Sequence, residues 1–217
     1  MAAKLPVAIL ISGRGSNMQA LVNAARGQTY PAEIAIVISN QPDAAGLAWA
    51  TANNVPTRVI DHKAFASREA FERELHQAIE GSGAKLVALA GFMRLMTADF
   101  VEQWRDRMIN IHPSLLPAFK GLHTHEQALA AGVKIAGCTV HFVRAEMDAG
   151  PIIAQAAVKV LPGDNPATLG ARVLEAEHRL YPEALRLVAS GGVRVEGDKV
   201  LISGMNIASG ALSSLDH

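Results

Sequence analysis

Short apolar runs, VAILIS, EIAIVIS, KLVALA and RMINIH, recur along the first half of the chain with the amphipathic stretches NMQALVNAA, DAAGLAWATANN and REAFERELHQAIEGSG set among them. The runs have the length and β-branched content of buried strands, and the longer stretches carry helical spacing. Strands separated by helices cannot close tight hairpins and pair in parallel through crossovers instead. The alternation therefore predicts βαβ units and an α/β fold with a doubly wound, mostly parallel sheet.

The second half changes character. VKIAGCTVHFV and PIIAQAAVKVL flank AEMDAG closely enough for an antiparallel pair or a tight loop, and HTHEQALAAG reads as a loop entering a helix. One long helix is expected over NPATLGARVLEAEHRLYPEALRLVAS, with Pro182 a kink or a boundary. VRVEGDKVLI suggests a hairpin around Gly197 and Asp198, followed by a weakly structured Gly/Ser-rich tail. No linker or internal repeat divides the 217 residues, so we expect a single domain over 1–190 and a terminal hairpin and tail over 191–217.

Charge and composition narrow the partners. Twenty basic residues balance 20 acidic ones, which leaves no general electrostatic reason to bind nucleic acid or a membrane surface. No run reaches transmembrane length, and MAAKLPVAILISGRGSN reads as a first strand entering a turn rather than a signal peptide. The single Cys138 excludes an internal disulfide and fits a reducing compartment, so a cytoplasmic location is expected.

In open parallel sheets, ligand sites form beyond the carboxyl ends of the strands. The first such end is SGRGSN, where glycines at 13 and 15 allow close backbone approach and the following helix start offers unpaired N–H groups to an anion such as phosphate. It is a weak dinucleotide fingerprint, with Met18 in place of the third glycine, and it lacks the Lys of a Walker A loop. A tight turn plus helix cap is the alternative. The run RMINIH ends at Pro113, which has no N–H and biases His112 toward extended geometry. Alternation then points Asn110 and His112 the same way, with Ile109 and Ile111 on the other face. An amide can donate to an oxyanion, an imidazole can move a proton, and the carboxylate of Asp148 can orient that imidazole, a set that suits acyl transfer. Each also has a simpler reading: strand cap, hydrogen-bonded rim residue and turn former.

Two other chemistries are weaker. His112, His123, His125 and His141 lie within thirty residues, but without a metal-ligand spacing, so no metal is expected. Cys138 sits inside an apolar run and reads as a buried strand residue rather than a nucleophile.

SGRGSN, LAGFMRLM, NIHPSLLPAFKGLHTHEQAL, GCTVHFVRAEMDAGPII and EHRLYP occur in that order, and over about residues 6 to 190 the chain resembles the phosphoribosylglycinamide formyltransferase family. The resemblance implies a Rossmann-like, nucleotide-binding N-terminal half and a C-terminal half contributing the folate site. It implies 10-formyltetrahydrofolate as a consumed cosubstrate, glycinamide ribonucleotide as acceptor, and Asn110, His112 and Asp148 as the catalytic residues. Gly15, Ser16 and Asn17 would hold the acceptor phosphate and Glu177 its ribose hydroxyls, although Glu177 by itself could equally be an exposed helix residue. Met93, Arg94, Leu95, Met96, Val101, Met108 and the loop from Val143 to Asp148 would line the pterin slot. The residues of GFMRLM alone would be read as a core strand end. Arg68 would approach the glutamate tail of the folate, and Arg14 stands where other members often have Asn. Neither metal nor nucleic acid nor membrane is implied, and a homodimer stays open.

Within the same superfamily, a formyltetrahydrofolate hydrolase would use the same three residues with water as acceptor. Members of that type usually carry an extra N-terminal regulatory domain, and transfer-RNA-formylating members a further C-terminal one. A catalytically silent nucleotide-binding module is the alternative from outside enzymology, and Asn110, His112 and Asp148 argue against it.

Overall fold

The computed structural model describes residues 3–203. Its elements are β1 (Leu5–Ile11), α1 (Ser16–Ala25), β2 (Ala32–Ser39), α2 (Ala45–Ala52), β3 (Thr57–Val59), α3 (Arg68–Gly81), β4 (Leu86–Leu89), α4 (Ala98–Gln103), β5 (Met108–His112), α5 (Thr124–Ala130), β6 (Ile135–Phe142), β7 (Ile152–Lys159), α6 (Pro166–Ala189), β8 (Val193–Glu196) and β9 (Lys199–Ile202). Strands β1 to β7 form one sheet in the order β3-β2-β1-β4-β5-β6-β7. The pairings from β3 across to β5 are parallel, and β5–β6 and β6–β7 are antiparallel.

The run at β1 is apolar without alternation because both of its faces are covered, as in a doubly wound sheet. Val7, Ile9 and Ile11 pack with Met18 and Leu21 of α1 and with Tyr181 and Leu185 of α6. Ala8 and Leu10 face the opposite layer, where Phe71, Leu75 and Ile79 of α3 meet Phe100 and Trp104 around α4. The chain adds β2 and β3 on one side of β1 and then returns to place β4 on the other, so the strand order reverses between β1 and β4. The loops leaving these two strands meet at that point, which is where such sheets open a crevice. Ser12 N–H donates to the Gly91 carbonyl at 3.1 Å, Met93 N–H to Ser12 Oγ at 2.8 Å, and Ser12 Oγ to Asn40 Oδ1 at 2.5 Å.

Three elements differ from the expectation. The short strand β3 has all three residues exposed, so it carries no apolar signal. Helix α4 has six residues, and it starts where Thr97 caps Phe100 N–H and Glu72 accepts from both the backbone and the hydroxyl of Thr97. Pro182 does not end α6, which runs unbroken from Pro166 to Ala189. Its start is fixed by Asn165, whose side chain accepts from Ala167 and Thr168 N–H groups, and by Pro166 in the first turn. Beyond α6, β8 and β9 pair antiparallel, turning at Gly197 (φ 60°), and Val193, Val195 and Val200 pack onto the α1/α6 side of the core. The expected Gly/Ser-rich tail lies outside the described residues. Among the described residues, no helix is long and apolar enough to cross a membrane.

Candidate active site

The strand β5 stops at His112, and its alternation sends Ile109 and Ile111 into the α1/α6 layer. Met108, Asn110 and His112 project from the other face. Met108 is fully buried among α3 and α4 side chains, Asn110 is half-buried and His112 is 5 % exposed, so Asn110 is the more open of the two polar groups. Antiparallel pairing with β6 sets His141 opposite Asn110 and Thr139 opposite His112.

The connection from β6 to β7 brings Asp148 back to this rim. Its Oδ1 stands 3.5 Å from His112 Nδ1, and its Oδ2 accepts from Gly121 N–H at 2.8 Å. The backbone of Asp148 is left-handed, at φ 52°, a conformation a short polar residue tolerates better than most. The other ring nitrogen of His112, Nε2, lies 3.0 Å from the Phe119 carbonyl. Both nitrogens thus face oxygen acceptors. A doubly protonated ring satisfies both, and a neutral ring can donate to only one.

The segment after Pro113 that supplies the Phe119 carbonyl is tied to the sheet. Thr139 Oγ1 donates to the Ser114 carbonyl at 2.7 Å and accepts from Leu116 N–H at 3.0 Å, and Gln155 Nε2 donates to the Leu116 carbonyl at 2.9 Å. Ser114 Oγ closes the turn onto the Ala118 carbonyl at 2.6 Å.

At the switch point, Gly15 adopts φ 71° and hands the chain to α1, whose first N–H groups have no capping side chain. These orphan donors and the positive end of the helix suit an anion. A Cβ at Gly15 would lie 2.9 Å from Met18 Cε and 3.2 Å from Gly46 Cα, so it would point into the fold rather than outward. The glycine is therefore required first by backbone conformation and by the approach of α2. Asn17 is buried and turns inward, donating from Nδ2 to Glu177 Oε2 at 2.7 Å, while its buried Oδ1 finds no hydrogen-bond partner among the described residues. Glu177 is not an exposed helix residue: it is 5 % exposed, and burial pushes its carboxyl above the usual carboxylate range despite the bond from Asn17.

The GFMRLM run does not continue the strand. Gly91 through Met96 form an irregular loop in which Met93 and Leu95 are 64 % and 60 % exposed, with Arg94 and Met96 half-buried. Val101 is buried beneath, and Met96 and Val143 pack against the same cluster. A cavity of about 480 Å³ opens between α4 and the β6–β7 connection, lined by Val101, Glu102, Arg105, Arg144, Ala145 and Glu146. Its size falls within the range of small-molecule sites. Arg68 is exposed at the first turn of α3.

Of the histidines grouped in sequence, His125 and His141 both lie near enough to His112 to feel its charge. Among the described residues, no group of three His, Cys, Asp or Glu side chains is placed to hold a metal ion. Cys138 is fully buried in β6, and burial pushes its thiol up to about 12, which removes it as a nucleophile.

An amide, an imidazole and a carboxylate gathered at one strand end of an α/β sheet have the donors and the proton carrier that acyl transfer needs. The chain belongs to the formyl transferase family, whose model matches residues 5–185. It is 41 % identical to phosphoribosylglycinamide formyltransferase of Escherichia coli over 201 residues, covering 93 % of this chain and 95 % of that one. It is 52 % identical over 192 residues to the human trifunctional purine biosynthetic protein adenosine-3, covering 88 % of this chain and 19 % of that one. The chain thus spans about a fifth of the length of the vertebrate relatives it matches. Among solved structures, glycinamide ribonucleotide transformylase 1 from Symbiobacterium toebii superposes with a TM-score of 0.90 at 47 % identity, covering 93 % of this chain and 95 % of that one. Phosphoribosylglycinamide formyltransferase from Coxiella burnetii gives 0.88 at 45 %, covering 94 % and 96 %.

Proposed function

We propose that the chain transfers the formyl group of 10-formyltetrahydrofolate to the amine of glycinamide ribonucleotide, giving N-formylglycinamide ribonucleotide and tetrahydrofolate. The observation that carries the reading is the pairing of His112 with Asp148 beside Asn110 on one face of β5. The bacterial relatives matched over nearly their whole length support the choice of acceptor.

The acceptor phosphate would lie against the backbone N–H groups of Gly15, Ser16 and Asn17, since the Asn17 side chain is already engaged with Glu177. Glu177 would then accept hydrogen bonds from the ribose hydroxyls. The pterin would enter between the 91–96 loop and the 143–148 connection, with Met93, Arg94, Leu95, Met96 and Val143 at its walls. Val101 and Met108 would form the floor beneath them, and Arg68 would meet the anionic tail. Exposed methionine and leucine side chains suit contact with a flat aromatic ring.

In the reaction, the amine nitrogen bonds to the formyl carbon and the bond from that carbon to N10 breaks. Asn110 Nδ2 and the protonated His112 donate to the oxygen of the tetrahedral species. Asp148 holds the imidazole and helps pass the proton lost by the amine to the departing N10. The protein contributes no nucleophile of its own.

The test is release of tetrahydrofolate, followed by absorbance, with and without glycinamide ribonucleotide. Acceptor-dependent release is expected. Equal release without acceptor would identify a hydrolase, and binding without turnover would identify a silent nucleotide-binding module.

A further inference from the structure

Asn110 can help an oxyanion only if its amide presents nitrogen, and an amide side chain has two faces of nearly equal shape. Something must choose between them. The register of β5 against β6 sets His141 directly across from Asn110, and the ring Nε2 lies 3.3 Å from Asn110 Nδ2.

The state of that ring is fixed on its other side. His141 Nδ1 lies 3.0 Å from the Phe142 carbonyl, an oxygen that can only accept, so Nδ1 carries the proton. The ring is 2 % exposed, and burial disfavours its charged form more than Asp148 and the Phe142 carbonyl favour it, with His112 nearby adding to the disfavour. A neutral ring protonated at Nδ1 has a bare lone pair on Nε2. That lone pair accepts an N–H and repels a carbonyl oxygen, so Asn110 must turn its NH₂ toward β6. One hydrogen is then held by His141, and the second is left to donate elsewhere.

We infer that His141 is a positioning residue for the reaction, one that fixes the amide of Asn110 with its donor side toward the reacting formyl oxygen. The inference rests on the reading of Asn110 as oxyanion donor. His141 itself touches neither substrate in this scheme. Its effect passes from the Phe142 carbonyl through the imidazole tautomer to the amide.

The experiment is a kinetic cycle with the full chain. His141→Leu should lower kcat by about tenfold, the weight of one hydrogen bond, and leave KM for both substrates within about twofold. In an Asn110→Ala background the same substitution should cost less than about twofold, because there is no amide left to orient. His141→Gln should recover most of the rate, since its Oε1 can stand where Nε2 stood and accept the same N–H. Equal losses in both backgrounds, or wild-type kcat in His141→Leu, would overturn the inference. Wild-type kcat in Asn110→Ala would instead overturn the oxyanion-donor reading, whatever His141 does. Should His141→Leu fail to fold, the ¹⁵N spectrum of the wild-type imidazole decides alone: Nδ1 must appear protonated and Nε2 bare, and a protonated Nε2 refutes the assignment.

Discussion

Replacing Gly15 by alanine should destabilise the fold before it touches chemistry. Gly15 has φ 71°, and holding a residue with a Cβ in that region costs about 1–2 kcal/mol. The new methyl would also sit 2.9 Å from Met18 Cε and 3.2 Å from Gly46 Cα. The methionine end can swing aside, but Gly46 is backbone, held by its own N–H to the Gly13 carbonyl at 3.0 Å. Crowding of that kind adds roughly 1 kcal/mol, the low end for overpacking. The sum is about 2–3 kcal/mol, which in a domain of this size lowers Tm by about 4–12 °C. Thermal unfolding measures it, with Gly13→Ala as the control, because a Cβ at Gly13 meets nothing within 4 Å and its effect should stay within about 0.5 kcal/mol. Below the transition, Gly15→Ala should raise KM for the acceptor and leave that for the folate unchanged. A Tm within about 1 °C of wild type would refute the packing argument, and a selective rise in folate KM would refute the phosphate assignment.

The remaining predictions concern the two carboxylate contacts. His112→Ala and Asp148→Asn should each lower turnover by about 10² to 10⁴, and the double variant should be little worse than the poorer single, because the pair acts as a unit; independent, multiplicative losses would reduce Asp148 to a turn former. Glu177→Gln should melt higher than wild type at neutral pH and bind the acceptor more weakly. Burial raises the Glu177 carboxyl, so the stability of the glutamate form is fully present below the usual carboxylate range and is lost as pH rises through the raised value. The advantage of the glutamine variant should therefore close as the solution is acidified, and a gap that widens toward acid would show that Asn17 holds Glu177 as an anion.

Local chemistry decided a large part of this molecule. The run at Val7–Ile11 has no polar alternate, which only a strand covered on both faces can accommodate, and the helices α1 and α3 lie where spacing put them. Pro113 ended β5 because it has no N–H to give, and strand alternation put Asn110 and His112 on one face at that end. The proline in α6 shows the limit of the same rule. Pro182 removes one helical hydrogen bond, but Tyr181, Ala184 and Leu185 around it are fully buried, and their packing carries the helix across. Residues 91–96 look like a strand end by composition, but they form an irregular loop that leaves Met93 and Leu95 exposed.

What the sequence could not hold was the set of distances between remote segments. Asp148 reaches His112 because β6 and β7 turn back antiparallel, Glu177 is buried because α6 packs on α1, and His141 faces Asn110 because of one register among several that β5 and β6 could have adopted. A strand shifted by one residue sends every side chain to the other face, and register is set by the whole buried surface rather than by the pair it aligns. Residue types and their local spacing thus supplied the chemical groups, and the tertiary pairing of strands decided which of them meet.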